Sequence, residues 1–496
     1  MIASRIPSRL TVGGARRREL PSPAVPLPAG FRFGVATSGF QIEGGYNGPG
    51  EPSNNWLDWE RAGRVPPAGV ALDFWNRYEE VLDRAVAAGC DAFRLSIEWA
   101  RCEPSPGCLD GAAFDRYRAI LAACQERGIE PVVCLLHFSH PHWLGPDFWL
   151  DLRSPDRFAV WVAAAVDRLE GAGCRHWLTI NEINALAFQA YFTQALPPGR
   201  LGRTGDTVRA IGNLLAGHVL AYRAIHHVQP DAVVATNNHA LSVYELDRLL
   251  LDVLLARGHG IEREDLAEWL SDRRRDFHAA LPVPGPLERL QRIVAASILP
   301  LHKAVPRAVS EVFAGPDRRL LDVVQVNYYD PVTAHRVSLP GRRTVGGRTR
   351  TPFRRVWDDA VHPEGLPLYL RANHEPGLDL WVAENGLCNR VLHDGRVFPR
   401  LDGWDRVRYL RANLAAVARA IDEGLPVTRY FHWTLADNYE WGSYEPRFGL
   451  YRVDQVGGDA GGPRWSDVDA FGGASAGTYR RLATAMRKGE ARPVSP

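Results

Sequence analysis

The chain has 496 residues and a formal net charge of +2, and Lys303 and Lys488 are its only lysines. Near-balanced charge gives no basic footprint for nucleic acid, and no stretch approaches the roughly 18 apolar residues of a membrane span. Chemistry that needs a reactive amine is confined to those two lysines, while 15 tryptophans supply flat apolar faces of the kind that suit sugar rings.

The cysteines (Cys90, Cys102, Cys108, Cys124, Cys134, Cys174 and Cys388) are odd in number and scattered, with no Cys-x-x-Cys. That is the usage of a reducing compartment, and a cytoplasmic location is expected. Residues 1–28 contain several arginines but no apolar signal core, and are expected to form a flexible tail. An organelle transit peptide is the alternative for that tail.

From Phe31 the chain alternates between two periodicities. Phe31 to Gln41 reads as a strand, and Phe74, Tyr78, Val81, Leu82 and Ala85 mark one face of a helix over 71–89. Asp91 to Trp99 is a second strand, 111–128 a helix, and Glu130 to Phe138 a third strand. Ser154-Pro155 predicts a helix start with a serine cap. His176 to Glu182 is the fourth strand, 207–228 a helix, and Ala232 to His239 the fifth strand. Residues 241–320 are expected to be mostly helical. Asp322 to Tyr329, Leu378 to Glu384 and Val427 to Leu435 are the last three strands, with a helix over 404–423. Eight strands separated by helices predict one α/β domain over 29–490, a (β/α)₈ barrel with long βα loops. Gly386 is expected to give the seventh strand a sharp exit turn. An arginine-rich loop, 341–355, should follow the sixth strand as a solvated segment; the alternative is an entrance that favours acidic or phosphorylated groups.

In such a barrel the residues ending each strand share one mouth. In order these are Gln41 and Glu43, Arg94 and Glu98, His137, Asn181 and Glu182, Asn327 and Tyr329, Glu384, and Trp433, with Glu440 and Trp441 soon after. Two carboxylates, Glu182 and Glu384, stand on strands that face each other. Glycoside cleavage needs such a pair, one protonated to help the leaving oxygen depart and one ionised to meet the anomeric carbon. Arg94 is expected to keep Glu384 ionised and Tyr329 to hold one of its oxygens, while Glu182 carries the proton. Asn181 is expected to bond a sugar hydroxyl. His140 and His142 resemble paired metal-ligating histidines, but they sit in a loop with no strand lysine to complete a site, so no metal and no cofactor is expected. Glu98 shares the strand parity of Arg94 and is expected to pair with a neighbouring arginine.

Six motifs together resemble glycoside hydrolase family 1, the β-glucosidase and β-galactosidase family. They are Phe-Gly-Val-Ala-Thr-Ser-Gly-Phe-Gln-Ile-Glu-Gly (33–44), Phe-Arg-Leu-Ser-Ile-Glu-Trp-Ala-Arg (93–101), Thr-Ile-Asn-Glu (179–182), Asn-Tyr-Tyr (327–329), Ala-Glu-Asn-Gly (383–386) and Trp-Thr-Leu-Ala-Asp-Asn-Tyr-Glu-Trp (433–441). The resemblance implies a retaining exo-β-glycosidase, with Glu384 as nucleophile and Glu182 as acid/base. Arg94, Tyr329 and Asn327 would support the nucleophile. Gln41, His137, Asn181 and Glu440 would bind hydroxyls of a terminal glucose-, galactose- or fucose-type sugar, with Trp433, Trp441 and Phe448 completing the substrate-binding set. A glutamate at 440 implies an unphosphorylated glycone. Ile183 replaces the family's usual proline, Phe138 a frequent tryptophan, and Phe33 another. The expected partner is a small-molecule glycoside, and self-association is left open. A transglycosidase on the same residues is the alternative activity, and a non-catalytic sugar-binding barrel a second.

Overall fold

The computed structural model describes residues 26–281, 290, 293, 306–329, 361–392, 394–400, 402–454 and 462–490. The arginine-rich segment 341–355 and residues 1–25 lie outside them. The apolar runs pair in parallel as Arg32–Ala36, Ala92–Ser96, Glu130–Cys134, His176–Leu178, Val233–Ala235, Asn237–His239, Val323–Asn327, Asp379–Asn385 and Val427–Trp433. The fifth barrel strand is split at Thr236: Val233–Ala235 pairs with the fourth strand and Asn237–His239 with the sixth. The first strand pairs with both the second and the eighth. The ring is thus the eight-stranded barrel expected from the sequence.

Helices form where the periodicity places them, with ends set by local chemistry. Asp110 caps Gly111–Glu126 by accepting from the amides of Ala112 and Ala113, and Asp405 caps Arg406–Asp422 through the amide of Arg408. Ser154 behaves differently from expectation. It is the first residue of helix Ser154–Arg168, and its hydroxyl donates to the Asp151 carbonyl instead of capping. Between the fifth and sixth strands, Tyr244–Asp247, Leu249–Leu255, Leu266–Ala280 and Pro306–Ala314 are α-helical.

Two departures from simple strand reading shape the mouth. The fourth strand ends at Leu178, so Asn181 and Glu182 stand on an extension tied by the Asn181 amide to the Leu136 carbonyl at 2.9 Å. In the seventh strand the ladder shifts: Val326 pairs with Val382, but Asn327 pairs with Glu384. Ala383 is the extra residue of a bulge. Trp381 points into the barrel, where its ring meets His176 of the fourth strand at 5.3 Å. Plain alternation from Trp381 would turn Glu384 outward; the bulge re-aims it inward.

Gly386, placed at the exit of the seventh strand, does not take a positive φ. Its role is close approach: a Cβ there would lie 2.1 Å from the Trp433 carbonyl oxygen. The seven cysteines are all free. Among the described residues no helix is long and apolar enough to cross a membrane.

Candidate active site

Glu384 is the penultimate residue of the seventh strand and is only 4% exposed. One of its oxygens, Oε1, accepts from Nη2 of the wholly buried Arg94, and the other accepts the Tyr329 hydroxyl at 2.6 Å. Glu182 is 5% exposed and precedes helix Ile183–Tyr191 with φ +50°, in the left-handed region. A proline at 183 would drive the residue before it to extended backbone; Ile183 imposes no such limit. The Asn237 side chain fixes this conformation by accepting the Glu182 amide at 2.7 Å.

A chain of amides joins the two carboxyls. Asn327 Nδ2 donates to Glu182 Oε1 at 2.9 Å and to Asn181 Oδ1 at 3.3 Å, and Arg94 Nη1 donates to the same Asn181 oxygen at 3.2 Å. Asn327 was expected to support Glu384, its partner in the strand register, but its amide serves Glu182. The Asn237 amide, donating to Asn327 Oδ1 at 3.1 Å, fixes which end of the side chain faces Glu182.

The remaining expected residues gather beside this network. Asn181 Nδ2 lies 3.0 Å from His137 Nε2. Burial and the Arg94 charge hold His137 well below the usual histidine range, so it is neutral. With Nε2 accepting from Asn181, its proton is on Nδ1, a buried atom with no partner among the described residues. Gln41 Nε2 donates to Glu440 Oε2 at 3.1 Å, while Gln41 Oε1 is likewise buried and has no partner among the described residues. Trp433 also hydrogen-bonds Glu440. Trp441 packs its ring 4.9 Å from Phe138 and 5.5 Å from His137. Phe448 stands edge-on to Tyr329 at 6.1 Å. Buried donors and acceptors without protein partners, beside indole faces, are what a polyhydroxylated ring satisfies.

Sequence reasoning missed Asn237 and His239, which end the split fifth strand. The signal was present as Thr-Asn-Asn-His (236–239), a polar end to an apolar run. His239 Nδ1 lies 3.0 Å from Glu182 Oε1, and its ring stacks on Tyr329 at 5.6 Å.

His239 also changes the electrostatics. Burial pushes the Glu182 carboxyl up, but the His239 charge and hydrogen bond, with Asn327 and Arg94, bring it below the usual range. For Glu384, burial and the charge of Glu182 outweigh Arg94 and Tyr329, and the carboxyl lies above it. The two groups titrate as a pair, and the His239 charge and hydrogen bond are the largest influences that lower Glu182.

Glu98 does not form the expected ion pair. Arg101 pairs with Glu43 at 3.0 Å instead, while Glu98 accepts from the Phe40 amide and the Ser139 hydroxyl. Burial and the nearby Glu43 push it up to about 8, so it is a carboxylic acid at neutral pH. His142 meets Asp58 at 3.2 Å and His140 the Gly145 carbonyl at 3.4 Å. Among the described residues no group of three or more His, Cys, Asp or Glu side chains could hold a metal ion.

The sequence pattern of Glycosyl hydrolase family 1 matches residues 24–267 and 318–465. The 6-phospho-beta-galactosidase of Lacticaseibacillus rhamnosus is 28% identical over 474 residues, covering 86% of this chain and 94% of its own. Beta-glucosidase 6 of Oryza sativa subsp. japonica is 28% identical over 475 residues, covering 86% of each. The fold matches the family 1 β-glucosidase of Thermotoga maritima with TM-score 0.70 at 23% identity, covering 94% of this chain and 100% of that one. The chain belongs to glycosyl hydrolase family 1 and is a glycoside hydrolase.

Proposed function

We propose that the chain is a retaining exo-β-glycosidase acting on an unphosphorylated terminal sugar of the glucose, galactose or fucose type. The observation that carries this reading is the pair of buried carboxyls, Glu182 and Glu384, joined through Asn327, Asn181 and Arg94. In the first step a Glu384 oxygen bonds to the anomeric carbon. The bond to the aglycone oxygen breaks, and that oxygen takes the proton of Glu182. In the second step water attacks the same carbon, gives a proton to Glu182, and releases Glu384.

The choice of an unphosphorylated sugar rests on the groups beside Glu440. Burial and the charge of Glu384 push Glu440 up to about 8, so simple charge repulsion of a phosphate is not the argument. Support comes from the cations at the segment that follows Glu440, which are already engaged. Arg390 pairs with Glu445 at 2.9 Å, and Arg447 donates to the Val453 carbonyl at 3.1 Å and faces Asp437 at 3.7 Å. A phosphate dianion beside Glu440 would need a charge-assisted partner, and each of these two arginines already faces a carboxylate.

The test is a panel of aryl β-glycosides, each sugar offered free and 6-phosphorylated, with Glu384→Gly as control. The free sugars should be hydrolysed, the variant should lose at least about 10²–10⁴-fold, and azide should restore turnover as the α-glycosyl azide. Turnover of the phosphorylated series alone would overturn the choice of sugar. Near-normal turnover by the variant would overturn the roles.

A further inference from the structure

His239 is fastened to the Glu182 segment more firmly than a chance neighbour would be. Its backbone amide donates to Asn184 Oδ1 at 2.9 Å, and Asn184 Nδ2 donates back to its carbonyl at 2.8 Å. Asn184 is the second residue of the helix that Glu182 begins. Two residues upstream, Asn237 accepts the Glu182 amide. Strand end and helix start are therefore clamped together on both sides of the imidazole, and Nδ1 is left facing Glu182 Oε1 at 3.0 Å. The other ring face is set by the stack on Tyr329, which itself holds Glu384. The His239 side chain is 28% exposed while that of Glu182 is 7% exposed, so the imidazole exchanges protons with water more readily than the carboxyl it touches.

We infer that His239 is a positioning residue for the reaction: its Nδ1–H bonds to Glu182 Oε1, orients that carboxyl, and favours its ionised form. This rests on the reading of Glu182 as acid/base. The bond has a consequence in each half of the cycle. As the aglycone oxygen takes the Glu182 proton, the carboxylate left behind gains a charge-assisted hydrogen bond, which eases the transfer. In the second half the same bond keeps Glu182 ionised until water supplies a proton. The proton of Glu182 and that of the imidazole lie on one short path. The form with Glu182 protonated and His239 neutral, and the form with Glu182 ionised and His239 cationic, hold the same number of protons.

Other groups that could titrate against His239 are few among the described residues. Asp247, in helix Tyr244–Asp247, feels its charge; burial pushes this acid up to about 7, against the amides of Leu241 and Ser242 that bind it. Tyr329 stays a neutral phenol, its pKa raised far above the usual value by burial and by Glu384. Arg94 and Glu384 act on the pair from beyond Asn327 and Tyr329.

The test compares kcat/KM against pH for wild type, His239→Phe and His239→Gln on a phenyl β-glycoside, whose leaving group needs an acid. Phenylalanine keeps a ring to stack on Tyr329 and removes the donor; glutamine keeps an N–H donor without the imidazole charge. Because His239 stabilises ionised Glu182, its loss leaves the acid protonated to higher pH. The alkaline limb should move up by about 0.5–1 pH unit in His239→Phe, with His239→Gln between. One-to-one labelling of Glu384 by a 2-deoxy-2-fluoroglycosyl fluoride shows that each variant retains an assembled site. A labelled His239→Phe whose alkaline limb stays at the wild-type position overturns the inference. Should that variant not fold, the limb of His239→Gln decides on the same terms. If wild type hydrolyses no β-glycoside, the proposed function fails and takes this inference with it; if it does and the limb is unmoved, this inference alone fails.

Discussion

The guanidinium of Arg94, with no exposed surface, donates through Nη2 to Oε1 of Glu384, a carboxyl almost as deeply buried. Neither charge has much water to turn to, so each depends on the other. Removing one member of such a pair leaves a buried charge uncompensated and typically costs about 3–5 kcal/mol. Arg94→Met should therefore lower stability by an amount of that order in urea unfolding. It should also move the acid limb of kcat/KM upward, because the cation that favours ionised Glu384 is gone. An unshifted acid limb would mean that Arg94 does not govern the Glu384 charge.

Tyr329 holds the other oxygen of Glu384 at 2.6 Å. A hydrogen bond to a charged group contributes about 1.5–3 kcal/mol, which corresponds to about 10- to 150-fold in rate. Tyr329→Phe should lose that much in kcat/KM while keeping the ring that stacks on His239 and meets Phe448. Steady-state kinetics on one aryl glycoside suffices to check it.

Glu98 gives a prediction about pH and stability. Its folded pKa, pushed up to about 8 by burial and Glu43, lies above that of an unfolded glutamate, near 4.5. Between those values the folded state binds a proton that the unfolded state does not, so stability falls as pH rises. Glu98→Gln mimics the neutral acid and removes this dependence. It should gain on wild type steadily from about pH 5 to pH 8 in thermal unfolding. A constant difference across that range would show that Glu98 is ionised in the fold.

Gly386 tests packing where the seventh and eighth strands approach. The Cβ of alanine would meet the Trp433 carbonyl oxygen at 2.1 Å and the Phe448 ring at 3.2 Å. The first of these is backbone and cannot swing away. Gly386→Ala should destabilise by about 1–3 kcal/mol or more and lower activity, since Glu384 stands two residues upstream. Wild-type melting and kinetics in this variant would show that the two strands can part freely at this point.

The barrel was legible because its signals are local. Each strand is an apolar run ending on polar residues, and each helix shows a 3.6-residue stripe such as Phe114, Tyr117, Ile120 and Leu121, all buried. The strand ends also gave most of the site, because a parallel barrel brings every carboxyl end to one mouth. Asn237 and His239 escaped because their importance lies in what they touch, residues 55 and 57 positions away in the chain.

By itself the sequence determined the eight-strand alternation, the candidate pair Glu182 and Glu384, and the placing of Gln41 and Asn181 among the strand-end residues, with Glu440 soon after the last strand. Each of these follows from residue type and spacing along the chain. The tertiary structure alone decided three things. A bulge at Ala383, visible only in the pairing of the sixth and seventh strands, turns Glu384 into the barrel where alternation from Trp381 would point it out. Asn237 directs the Asn327 amide to Glu182 and away from Glu384. And the split fifth strand brings His239 to within 3.0 Å of Glu182, an imidazole contributed by another strand. Register and long-range electrostatics are properties of the closed ring, and a single strand carries neither.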